Sequence, residues 1–172
     1  MLLGWLAAFY NVPEGVSAPL AAALGGGAAA VGLILAAPAF GATVGAITFS
    51  RFVAPARRVR WMSPLAVLAC GVLVLFAFHP PLPIALALLG ISGLFDCYQL
   101  AANASFVAAT PARHRSQAFG IAQGGMSLGQ GLAMVVAGAM AEHYAPSLVI
   151  AGSGAVGAVA AIVIAVGRAR TH

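Results

Sequence analysis

The chain has 172 residues, 62% of them hydrophobic and only 6% charged, with a net charge of +5. A mean hydropathy of +1.03 excludes a soluble domain, where about 25% charged residues is ordinary; too few polar side chains exist to cover a core. The basic balance does not point to nucleic acid, because every cation is an arginine and the arginines gather at the ends of apolar runs, which is the pattern of membrane topology.

The apolar runs are continuous rather than alternating, so helices and not a β-barrel carry the spans. Residues 1–172 are therefore expected to form one all-α, polytopic membrane domain with six transmembrane helices. The N-terminal MLLGWLAAFY has no basic leader and is read as the start of the first span, about residues 2–24. Pro13 should kink that span by removing a backbone hydrogen bond. Tyr10, Glu14 and Ser17 share one helix face there, with an acid near mid-span. Gly25-Gly26-Gly27 makes the following turn.

The second span is expected over about 29–53. Gly41 and Gly45 form a small-xxx-small pair suited to close helix packing. An arginine loop follows, with Arg51, Arg57, Arg58 and Arg60, and Trp61 takes the interfacial position. The third span covers about 62–78 and ends at His79-Pro80-Pro81-Leu82-Pro83.

The fourth span, about 84–110, carries the most informative pattern. Ser92, Asp96, Gln99 and Asn103 are spaced by four, three and four residues, which places them on one helix face. Such a polar stripe cannot face lipid, since each unsatisfied polar group there costs several kcal/mol. An intramembrane acid such as Asp96 is a candidate proton-coupling carboxylate, or the counter-ion of a cationic substrate. Gln99, Asn103 and Tyr10 are candidates for substrate contact, and interhelical hydrogen bonding is the competing role.

A second basic loop holds Arg113, His114 and Arg115. The fifth span, about 117–140, is rich in glycine, with Gly120 and Gly124 expected to serve helix packing and Gln123, Ser127 and Gln130 on one face. The sixth, about 147–166, is apolar all round, and Arg168, Arg170 and His172 close the chain. All the arginines fall in the second and fourth loops and the C-terminal tail. The positive-inside rule then puts both termini in the cytoplasm of a multi-pass protein of the cell membrane. Cys70 and Cys97 lie in apolar spans, and the histidines lack metal-ligand neighbours, so neither a metal nor a cofactor is expected.

The segments Asp96-Cys97-Tyr98-Gln99-Leu100-Ala101-Ala102-Asn103 and Pro111 through Gly120, with Arg113-His114-Arg115-Ser116-Gln117-Ala118-Phe119, resemble the C-terminal half of a major facilitator superfamily transporter. The second is similar to the segment between helices ten and eleven of many exporters, with Ser116 where glycine is usual. Val12-Pro13-Glu14-Gly15 and the glycine-rich fifth span are similar to bacterial, actinobacterial-looking members. The resemblance implies that the spans are helices seven to twelve of a twelve-helix permease. The expected activity is secondary active, proton-coupled transport or efflux of a small organic molecule by alternating access. Helices seven and ten line the cavity in that family, which agrees with the acids in the first and fourth spans. The family's acid in the loop between helices eight and nine has no counterpart from Gly45 to Arg58. The partners implied are the bilayer, a small-molecule substrate and protons, and a missing N-terminal six-helix half or a second copy of this chain.

Two other classes compete. Gly90-Ile91-Ser92-Gly93 matches the Gly-x-Ser-Gly of rhomboid intramembrane proteases, but the sixth span offers no histidine base, and no enzyme activity is expected. A non-transporting membrane scaffold is the remaining alternative.

Overall fold

The computed structural model describes residues 7–169 of the chain, so the expected start of the first span, together with Arg170 and His172, lies outside the described residues. All regular structure among them is helical: α1 (Ala7–Tyr10), α2 (Val12–Gly15), α3 (Ser17–Ala23), α4 (Ala28–Phe52), α5 (Pro55–Leu73), α6 (Leu82–Phe95), α7 (Tyr98–Ala109), α8 (Arg115–Ala141) and α9 (Pro146–Ala169), with short 3-10 turns at Val74–Phe78 and Ala112–His114. Five helical segments are long and apolar enough to cross a bilayer: Ala28–Phe52, Arg57–Phe78, Leu82–Ala109, Arg115–Ala141 and Pro146–Gly167.

The first segment differs from the single kinked helix expected of it. Among the described residues it is helical in three pieces, interrupted at Asn11 and again at Val16. Pro13 sits in the first turn of α2, where its missing N–H costs nothing, so the chain breaks before the proline instead of bending through it. Past it, Ser17 Oγ donates to the Glu14 carbonyl at 2.9 Å, a local alternative to helix bonding.

A second correction concerns the first arginine loop. Only Val53 and Ala54 separate α4 from α5, so Arg51 lies in the last turn of α4 while Arg57, Arg58 and Arg60 lie on α5. Both helices run past the apolar core into water. Arg58 turns back, and its guanidinium donates to the Val53 and Ser50 carbonyls at 2.9 and 2.8 Å. Those carbonyls belong to the end of α4, where the helix supplies no partner of its own.

Within a bilayer, apolar burial does not draw helices together, because lipid is as apolar as leucine; close approach and interhelical hydrogen bonds do. The pattern here follows that rule. Helices α4 and α6 pack through glycine. A Cβ on Gly41 would collide with the Gly90 carbonyl, one on Gly45 with the Leu94 carbonyl, and one on Gly93 with the Pro38 carbonyl. Where α9 meets α5, a Cβ on Gly154 would stand 2.7 Å from the Cys70 carbonyl, and one on Gly157 would stand 2.8 Å from Cys70 Sγ. Gly15 of α2 lies equally close to Met134 of α8.

The buried apolar residues form two clusters. One joins Val12, Val16 and Leu20 to Ile34, Phe76, Leu89 and Ile150. The other joins Tyr10 to Phe49, Met62, Ala69, Cys97, Tyr98 and Ala161. Large apolar side chains such as Phe40, Phe52, Ile121, Leu128 and Val135 are exposed on the outer faces, as a lipid-facing surface requires. Helix α8 is the least covered and rests mainly on the short helices of the first segment. The expectation that Gly120 and Gly124 pack helices within the chain finds no such contact: a Cβ on either meets nothing within 4 Å.

Candidate functional site

The fourth span, Leu82–Ala109, runs as one helical segment that tightens at its middle, where Asp96 and Cys97 keep right-handed helical dihedrals. Helix α6 ends at Phe95, Asp96 and Cys97 form a turn, and α7 begins at Tyr98. Backbone bonds from Asp96 N–H to the Gly93 carbonyl (2.9 Å) and from Gln99 N–H to the Asp96 carbonyl (3.0 Å) tighten the chain to i→i+3 spacing at this point. An acid in mid-span thus coincides with a tightened turn of the helix.

Asp96 is half-buried, and its Oδ1 accepts a hydrogen bond from Gln99 Nε2 at 3.1 Å. Asn103, one turn further along α7, is exposed. Ser92 departs from the stripe. It is fully buried, and its Oγ donates to the Ala69 carbonyl of α5 at 2.6 Å, so it fastens α6 to α5 rather than facing a cavity with Asp96. The turn at Asp96-Cys97 interrupts the 100° progression on which the shared face depended.

The first segment brings its own polar groups to this centre. Tyr10 is buried in the cluster that contains Cys97 and Tyr98. Glu14 is exposed on α2. It lies within electrostatic reach of Asp96, and so do Tyr10 and Cys70. Tyr10, in one buried cluster with Cys97 and Tyr98, ties the first segment to the turn that carries Asp96. Glu14 and Asn103 are exposed, and Gln99 is half-buried.

Tyr98 is the residue the sequence reading missed. Its ring is 1% exposed, and its hydroxyl is buried with no hydrogen-bond partner among the described residues. A tyrosine in mid-span was the available signal, because a buried phenol ordinarily finds a partner.

The arginines stand apart from this site. Arg51, Arg57, Arg60, Arg113 and Arg115 are exposed at helix ends, with Arg115 donating to the Thr110 carbonyl at 3.3 Å. The larger of the two cavities described, about 440 Å³, lies between the first segment, α8 and α9, is lined by apolar residues such as Phe9, Val12, Val136 and Val149, and does not include Asp96. Among the described residues no cluster of histidine, cysteine and carboxylate could hold a metal.

The family model of the Major Facilitator Superfamily matches residues 2–172, essentially the whole chain. The chain belongs to the major facilitator superfamily. It is accordingly a membrane protein of a transporter family, all-α and polytopic. No curated protein and no solved structure matches it. In Gly90-Ile91-Ser92-Gly93, Gly93 makes a close approach to α4, Gly90 lies against the same helix, and Ser92 is bonded to the Ala69 carbonyl of α5.

Proposed function

We propose that this chain forms the C-terminal half of a proton-coupled permease for small organic molecules, with Asp96 as the coupling carboxylate and Glu14 as the second acid of the same cavity. One observation carries the reading: a mid-span acid sits at the tightened turn between α6 and α7, hydrogen-bonded to Gln99. A half-buried carboxylate there can exchange a proton or meet a cationic group.

The cavity is completed by a second six-helix half, either preceding this one in a longer protein or supplied by another chain. Helix α8, with Gln123 and Ser127 exposed at membrane depth, supports this, since such a face does not suit lipid. Transport proceeds by rocking of the two halves, and efflux is the direction favoured by the resemblance alone. The arginine-bearing ends lie in the cytoplasm of the cell membrane.

The test is accumulation of a panel of cationic organic compounds in vesicles holding the complete transporter, at several external pH values. Asp96→Asn is expected to remove the pH dependence while membrane insertion stays intact. PH dependence unchanged in Asp96→Asn would contradict the assignment.

A further inference from the structure

The arginine-bearing end of α5 carries a surface feature outside the site described above. Arg57, Arg60, Trp61 and Pro64 line a surface cleft of about 360 Å³. Their spacing of three, four and seven residues places them on one face of α5, and no residue of another element lines the cleft. Arg58 points elsewhere and is bonded to the end of α4. The guanidinium groups of Arg57 and Arg60 are therefore left facing outward beside an indole that is 50% exposed.

No acid of the chain is placed to neutralise them. The chain has three acids. Glu14 and Asp96 belong to the central site, and Glu142 caps the end of α8 remote from Arg115. No carboxylate lines the cleft, so an external phosphate can supply the countercharge. Helix α5 begins at Pro55 and turns apolar from Trp61 onward, so the cleft lies where the helix enters the bilayer. Tryptophan prefers that level, which is also the level of lipid phosphates. Arginine is the side chain whose planar fork matches phosphate oxygens.

We propose that this cleft binds the phosphate group of an anionic membrane phospholipid, with Arg57 and Arg60 clamping the phosphate and Trp61 lying against the glycerol and upper acyl chain. The site is independent of the transport reading above. A lipid held here would anchor the start of α5 against the short Val53-Ala54 connection, fixing the depth of both helices.

Trp61 supplies its own reporter. The chain has two tryptophans, so in a Trp5→Phe background the fluorescence belongs to Trp61 alone. The purified protein is placed in nanodiscs containing acyl-brominated phosphatidylglycerol or acyl-brominated phosphatidylcholine at equal mole fraction. Stronger quenching by the anionic lipid is expected. Arg57→Gln with Arg60→Gln should weaken the preference about 30-fold, from about 1 kcal/mol for each arginine near a charged surface. Arg57→Lys with Arg60→Lys should keep most of it, and Arg113→Gln with Arg115→Gln should leave it unchanged. Equal quenching by both lipids would overturn the proposal. So would a preference that survives the double Gln variant, or one lost equally in the Arg113/Arg115 variant, which would mean only a general surface potential. Loss of the preference on adding millimolar inorganic phosphate would assign the cleft to free phosphate and overturn it also.

Discussion

Gln99 donates its side-chain amide to Asp96 Oδ1 at 3.1 Å across the junction where α6 ends and α7 begins. The bond is local, three residues apart, and spans the tightened turn at Asp96-Cys97. Gln99 thus holds the one acid of the fourth segment in a fixed direction.

The first prediction concerns that pair. Gln99→Ala and Asp96→Ala should be coupled in a double-mutant cycle of unfolding by about 0.5–1 kcal/mol, the usual range for side-chain bonds at membrane depth. Additive effects of the two substitutions would show that the bond contributes nothing to the fold.

Glycine placement gives a second prediction with an internal control. Gly41→Leu and Gly45→Leu force side chains into the Gly90 and Leu94 carbonyls of α6, so each should cost about 1–3 kcal/mol or more. Gly124→Ala meets open space and should be neutral or mildly stabilising, through its better helix propensity. Unfolding in graded mixtures of mild detergent and dodecyl sulfate reads both. Equal damage from the two kinds of substitution would contradict the packing described.

How much of this was legible in the sequence follows from the range over which each signal acts. Long apolar runs survive any local detail, and five of them are helices long and apolar enough to cross a bilayer. The arginine loop was not legible, because an apolar pattern ends at the membrane surface whereas α4 and α5 continue into water through Arg51 and Arg57. Gly41 and Gly45 were visible as a spaced pair, but their partners Gly90 and Leu94 depend on which helix is adjacent, and adjacency is not written in either segment alone. The stripe from Ser92 to Asn103 was read with one uniform helical period. The turn at Asp96-Cys97 breaks that period, which leaves Ser92 against α5 and Asp96 in the central region. Asp96 stands out as a candidate because an ionisable residue in an apolar run is conspicuous without any structure.

Ser92 supplies a third prediction. Ser92→Ala removes the buried bond to the Ala69 carbonyl and should lower stability by about 0.6–1.7 kcal/mol. Thermal unfolding in detergent measures it. Stability unchanged by the substitution would mean that the bond between α6 and α5 carries no weight.

Tyr98 behaves in the opposite sense. Its buried hydroxyl has no partner among the described residues, so Tyr98→Phe removes an unsatisfied group and should leave stability unchanged or raise it by about 1 kcal/mol. Marked destabilisation in the same unfolding assay would show that the hydroxyl is bonded in the membrane, to water or to a group of the completing half.

Asp96 as the coupling carboxylate is tested most directly by separating substrate movement from proton movement in one preparation. Proteoliposomes holding the complete transporter are loaded with an accepted substrate. Exchange of labelled for unlabelled substrate, which needs no net proton transfer, is compared with accumulation driven by an imposed pH gradient. Asp96→Asn should retain exchange at a rate near that of the unsubstituted protein and lose gradient-driven accumulation. Gradient-driven accumulation persisting in Asp96→Asn would contradict the coupling role, and loss of both activities together would make Asp96 a residue of substrate binding or packing instead.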